Sequence, residues 1–134
     1  MARVIILEDD EDLGPLLMAS LRDAGHVVQL FTSANDAVQS YKQESADVFV
    51  ADIIIRQDNR SLPDGGLTAI FNIKAHAKRT DQKVAAIAIS GVMNFAGMQD
   101  TLKTAQQIGA DLALAKPFSP DELISTIETV LPAA

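Results

Sequence analysis

The sequence predicts an open α/β fold on a parallel sheet, and three observations carry that prediction. Five short apolar runs alternate with five stretches of helical periodicity along 134 residues. The first, Val4-Ile5-Ile6-Leu7, is uniformly apolar and β-branched, as a strand covered on both faces is. Parallel strands need crossover connections, and the helical stretches lie where crossovers belong, which puts helices on both faces of the sheet. With 48% hydrophobic content the chain suits one compact domain, and residues 1–134 are read as a single unit without a further domain.

The stretch A-D-V-F-V-A-D at 46–52 is the third strand, and the rest is arranged around it. It ends in a carboxylate, and an irregular polar segment follows. Asp52 is therefore expected at the strand tip, facing solvent and free to react. Ahead of it, Val4-Ile5-Ile6-Leu7 reads as strand one and leads into Glu8-Asp9-Asp10. Over 11–24, Leu13, Leu16, Leu17 and Leu21 fall at helical spacing, with Pro15 in the opening turn and Gly25 as C-cap. Residues 27–31 form the second strand, and Ser33 with Asp36 caps a helix reaching about 43.

Beyond Asp52, residues 56–66 carry charges and turn formers with no period, which predicts a long exposed loop over 53–66. A third helix over about 67–78 places Leu67, Ile70 and Phe71 on one side and ends in a basic turn. Residues 84–89 make the fourth strand, ending at Ser90-Gly91. A helix over about 98–108 stops at Gly109, and 112–115 form a fifth strand ending at Lys116-Pro117. Ser119-Pro120-Asp121-Glu122 then marks a helix start, with an N-cap Ser, Pro at the first position and Glu at the third, for a helix to about 131.

Composition narrows the function classes. A formal net charge of −7 disfavours nucleic acid and anionic lipid as partners. The chain has no cysteine, which removes disulfides and thiolate metal sites, and the first apolar run is too short for a signal peptide or membrane span. A cytoplasmic setting is the simplest reading. His26 and His76 each stand alone and are expected at the surface, and Lys74, His76, Lys78 and Arg79 read as a solvated helix end.

In an open α/β sheet, ligands sit beyond the carboxyl ends of the strands. That rule brings Glu8, Asp9, Asp52, Ser90 and Lys116 to one edge. Carboxylates packed together repel unless a cation or proton lies between them, and an oxygen-only ligand set points to a hard ion, Mg²⁺ before Ca²⁺. Lys116 and Ser90 supply an ammonium and a hydroxyl for phosphoryl oxygens, and Asp52 becomes a nucleophile able to form an acyl phosphate. The reading requires an exposed Asp52 within a few ångströms of the lysine and the other acids.

These residues, with Phe118 and Gly109-Ala110-Asp111 around them, resemble the response-regulator receiver domain of two-component phosphorelays across essentially the whole chain. The resemblance implies a flavodoxin-like fold with a five-stranded parallel sheet in the order 2-1-3-4-5 and five helices on its faces. It implies Asp52 as phosphoacceptor, Lys116 and Ser90 as its partners, and Mg²⁺ held by Glu8, Asp9, Asp52 and the backbone carbonyl of Ile54. It implies a histidine kinase or histidine phosphotransfer protein as donor. The chain is then a stand-alone switch acting by protein contact or relay, without direct nucleic-acid or membrane binding. It is not an enzyme beyond its own phosphorylation and slow dephosphorylation.

Three departures from the family pattern stand out. The Pro-containing turn after the acceptor, Leu62-Pro63-Asp64-Gly65, comes about five residues late. Ala113 occupies the place, three residues before Lys116, where the family carries an aromatic. The segment from Ser90 to Lys116 is about four residues longer than usual, with Phe95 and Met98 in it. Ala113 motivates an alternative reading, a constitutive docking module with weak phospho-switching. An Asp-nucleophile phosphatase is disfavoured because Ile54 stands where a second Asp is needed, and a flavin or nucleotide binder because Glu8-Asp9-Asp10 would repel phosphate. Ile54 and Val92, two residues beyond Asp52 and Ser90, are apolar where a polar group could position water, which predicts slow self-dephosphorylation.

Overall fold

Strand ends are what position the polar residues, so the sheet comes first. The computed structural model describes residues 2–53, 55–57, 60–90, 107 and 109–131, with 55–57, 60–64 and 90 described in backbone only. Among the described residues, seven strands and four helices follow in the order β1 (Arg3–Leu7), α1 (Leu13–Asp23), β2 (Val27–Phe31), α2 (Ala34–Gln43), β3 (Val48–Asp52), β4 (Ile55–Gln57), β5 (Arg60–Leu62), α3 (Pro63–Arg79), β6 (Ala85–Ser90), β7 (Leu112–Ala115) and α4 (Pro120–Val130). Five of the strands form one parallel sheet in the order β2-β1-β3-β6-β7, the 2-1-3-4-5 arrangement the resemblance implies. The helix expected over 98–108 lies outside the described residues apart from residue 107, which is helical.

Alternate strand residues enter two cores, because successive side chains leave a strand on opposite faces. Ile5, Leu7, Phe49, Ala51, Ala86 and Ala88 pack with Ala37, Val38 and Tyr41 of α2 and Ala69, Ile70 and Ile73 of α3. Val4, Ile6, Val48, Val50, Ile87 and Ile89 face Leu17 and Leu21 of α1 and Leu123 and Ile127 of α4. The central strand β3 is buried along its whole length, as an uninterrupted apolar run requires. On β6 the residues that pack with α3 are Ala86 and Ala88.

Local signals end the helices where expected. Gly25 takes a φ of +96° just after α1. The Ser33 hydroxyl accepts from the Asp36 N–H, and Ser119 with Glu122 forms a full capping box at α4. Asp10, which is exposed, steadies the chain as it enters α1, where its Oδ1 accepts from the N–H groups of Asp12 and Leu13 at 2.8 Å each.

Several expectations are corrected. The loop over 53–66 is a short antiparallel hairpin, β4 with β5, in the register Ile55↔Leu62, Arg56↔Ser61, Gln57↔Arg60. Helix α3 follows it directly at Pro63, whose missing N–H costs nothing at a first helical position. Phe71 does not share the burial of Ile70: it is 56% exposed. Neither histidine is simply at the surface. Both are half-buried; His26 Nδ1 accepts from the Ala2 N–H, and His76 sits edge-on to the Tyr41 ring, 6.0 Å between centroids. Lys74 is not a solvated helix-end charge either, since it donates to the Val84 carbonyl and pairs with Asp111.

One glycine ties α3 to the third strand. A Cβ on Gly66 would fall on the Asp52 carbonyl oxygen and within 2.6 Å of Ile53 Cα. Both are backbone atoms that cannot swing aside. Gly66→Ala is expected to destabilise the fold by about 2 kcal/mol or more, against ~1 kcal/mol for Ser119→Ala at the α4 cap; urea unfolding of the two variants measures both.

Candidate functional site

The parallel ladders carry the polar residues to one edge. β1 pairs with β3 up to Leu7↔Ala51, so Glu8, the first residue after β1, comes beside Asp52, the last residue of β3. β3 pairs with β6 up to Asp52↔Ile89, and β6 with β7 up to Ser90↔Ala115, so Ser90 closes β6 and Lys116 follows β7 at the same level. Hydrogen bonds continue past the strand ends: the Glu8 N–H donates to the Phe31 carbonyl and the Ile53 N–H to the Ile89 carbonyl, both at 3.0 Å. The backbone under the site is therefore held on both sides of the acceptor.

The Lys116 ammonium joins the acids. Its Nζ lies 3.0 Å from Asp52 Oδ2 and 3.1 Å from Glu8 Oε1. Glu8 Oε1 also accepts from the Asp10 N–H at 3.2 Å. Asp9 is half-buried beside them, and one carboxylate oxygen from each of Glu8, Asp9 and Asp52 can be chosen so that all lie within 4.8 Å of one another. The Ser90 side chain, Ile54 and Val92 lie outside what is described. The Lys116–Pro117 peptide bond is cis.

The reach required of Asp52 is met, but the exposure is not. Asp52 is only 4% exposed. Its strand is central in the sheet, and the Lys116 ammonium donates to its Oδ2. Glu8 is buried more completely, and its Oε2 has no hydrogen-bond partner among the described residues. A buried carboxylate oxygen left unpaired is costly. Three carboxylates against one ammonium also leave two formal negative charges in the cluster. The unpaired oxygen, the all-oxygen donor set and the residual charge fit a hard divalent cation, and Glu8, Asp9 and Asp52 are the residues that would hold it.

Electrostatics within the site follow from burial and crowding. Burial, and then the charge of Asp52, push the Glu8 carboxyl up to about 7 despite the nearby ammonium of Lys116. Burial on its own would lower Lys116, but Asp52 and Glu8 outweigh it and hold the ammonium above the ordinary lysine value. Outside the cluster, Asp10 lies below the usual range because the N–H groups of Leu13 and Asp12 bond its charged form. A cleft of about 540 Å³ opens beside Lys116, lined by Asp10, Leu13, Leu16 and Phe118 among others.

With this geometry in place, relatedness settles the class. The sequence profile described as the response regulator receiver domain matches residues 4–128, and the chain belongs to that family, the receiver domains of two-component response regulators. It is 25% identical over 129 residues to the transcriptional regulatory protein RprY of Bacteroides fragilis, covering 96% of this chain and 49% of that protein. It is 26% identical to the transcriptional regulatory protein BaeR of Escherichia coli, covering 96% and 48%. The chain thus spans about half the length of these curated relatives. Among solved structures, NtrX of Brucella abortus superposes with a TM-score of 0.80 at 25% identity, covering 97% of this chain and 27% of that one. The chemotaxis protein CheY4 of Vibrio cholerae gives 0.79 at 19% identity, covering 98% and 99%, a likeness of fold.

The raised Glu8 value has a consequence for stability. Between about 4.5 and about 7 the folded chain keeps a proton on Glu8 that the unfolded chain has lost. Stability from this group is greatest below that window and falls as pH rises through it, by up to ~3 kcal/mol. Urea unfolding in metal-free buffer at the two ends of the window should show this fall in the wild type and lose it in Glu8→Gln. A fall that survives the substitution assigns it to another group.

Proposed function

We propose that this chain is a phosphoacceptor switch of a two-component system, taking a phosphoryl group on Asp52 from a histidine kinase or histidine phosphotransfer protein in the cytoplasm. The observation that carries the reading is the Lys116 ammonium, bonded to both Asp52 and Glu8 at the edge where three carboxylates gather. An Asp52 oxygen attacks phosphorus, a new O–P bond forms, and the bond to the donor's leaving atom breaks with its electron pair going to the donor. Lys116, kept protonated, neutralises Asp52 before the transfer and pairs with phosphoryl oxygens after it. Ser90, which ends β6 opposite Ala115, offers its hydroxyl to the same group. When bound by Glu8, Asp9, Asp52 and the Ile54 carbonyl, Mg²⁺ neutralises the charge that three carboxylates and an incoming phosphate would otherwise oppose to each other.

Asp52 is only 4% exposed, so the exposure that the sequence reading requires is not met, and the reading is carried by the contacts of Lys116 with Asp52 and Glu8 instead. The output is a contact with another protein or onward transfer of the phosphoryl group, and the chain catalyses no reaction beyond its own phosphorylation and dephosphorylation. A second reading, constitutive docking, is favoured by one observation: Ala113 is exposed and small at the place where the family carries an aromatic.

Intact mass after incubation with Mg²⁺ and a small acyl phosphate should show one added phosphoryl group on the wild type and none on Asp52→Asn. Removal of Mg²⁺ should abolish the addition. An unmodified wild type would overturn the switch reading, and a partner bound equally by wild type and Asp52→Asn, with and without phosphodonor, would select the docking module. The phosphorylated protein is expected to persist for minutes or longer, since Ile54 and Val92 offer no polar group to an attacking water; a half-life of seconds would contradict that assignment.

A further inference from the structure

We infer that Lys74 and Asp111, at the end of the sheet opposite the carboxylates, are positioning residues that set the register of β7 and thereby hold the Lys116 ammonium between Asp52 and Glu8. The inference rests on the reading of Asp52 as phosphoacceptor for its functional consequence, but not for its structural content. It begins with an ambiguity in β7. That strand is four residues long, stands at the sheet edge and pairs with β6 alone. Its sequence is Leu-Ala-Leu-Ala, with exposure alternating at the same period. A slip of two residues would keep leucine on a leucine position and alanine on an alanine position over half of the strand, the other half receiving Ala110 and Asp111 or Lys116 and Pro117. It would also carry Lys116 by ~6.6 Å, two strand residues, out of reach of both carboxylates.

Side-chain packing along so short a strand specifies the register only in part, and Asp111 adds the bonds that fix it. Its N–H donates to the Ala86 carbonyl at 2.7 Å, and its Oδ2 accepts from the Ala86 N–H at 2.8 Å. Both bonds tie the residue before β7 to one residue of β6. Lys74 of α3 secures the arrangement from outside: its Nζ lies 2.8 Å from the same Oδ2 and donates to the Val84 carbonyl at 2.6 Å. The stem of Lys74 runs across Gly109, where a Cβ would come within 2.9 Å of Lys74 Cγ and where φ is +129°. At the other end of β7 the chain passes through Lys116 and Pro117 into α4, anchored by Leu123 and Ile127. Lys116 is thus strung between two anchors, and the Lys74–Asp111 pair is the one at the far end.

Amine-reactive footprinting read by peptide mass tests this without any phosphoryl transfer. In the wild type Lys116, held by two carboxylates, should label slowly. In Asp111→Ala and in Lys74→Met its labelling should rise about tenfold while exposed Lys42 and Lys78 keep wild-type rates, with far-UV circular dichroism and a cooperative urea transition reporting that the fold is intact. Phosphorylation of Asp52 by a small acyl phosphate should slow about tenfold in the same variants, and adding Asp111→Ala to Lys116→Met should slow it no further. Wild-type protection of Lys116 in both variants would overturn the inference, as would a rate loss that multiplies with Lys116→Met. A wild type that is never phosphorylated would overturn the functional reading, and the footprint would still decide the role of Lys74 and Asp111.

Discussion

The structure depends on a single ammonium placed between two carboxylates that are almost out of water. Lys116 contacts Asp52 and Glu8, residues 64 and 108 positions away in the chain. Breaking such a pair leaves uncompensated charge in a poor solvent, which is far costlier than losing an exposed ion pair. The strands that bring these groups together are held by uniformly apolar faces, so the sheet supplies the rigidity and its edge supplies the chemistry. Even with Lys116 in place the cluster keeps excess formal negative charge and, among the described residues, an unpaired oxygen on Glu8. That imbalance fits a hard cation.

Much of this was legible because it is local. Apolar runs marked the five sheet strands, and their last residues marked the site edge. Ser33 and Ser119 announced helix starts through spacing alone, and both cap as expected. The hairpin β4–β5 was not legible: its residues have no period of two, and the turn formers that read as loop also suit a tight antiparallel turn. The start of α3 at Pro63 was hidden for the same reason, since no apolar periodicity begins until after Gly66.

Burial of Asp52 was illegible for a different reason. The polar segment begins only at Arg56, after Ile53-Ile54-Ile55, and Ile53 is fully buried, while the ammonium that bonds Asp52 comes from Lys116, whose placement is tertiary. The pairing of Lys74 with Asp111 is likewise invisible in a run of basic residues at a helix end. The fold therefore followed from periodicity, whereas protonation and exposure at the site depended on contacts between distant segments. Asp10 shows the limit of reading acids by type: it lies beside the cluster, yet its carboxylate bonds the start of α1.

The central claim is that Glu8, Asp9 and Asp52 form one cation site with Lys116 at its side. An anomalous-scattering map from crystals grown with Mn²⁺ tests it most directly. The account predicts a single strong peak within bonding distance of oxygens from all three acids, with the Lys116 ammonium still beside Asp52. A peak elsewhere, or none among these carboxylates, would contradict it.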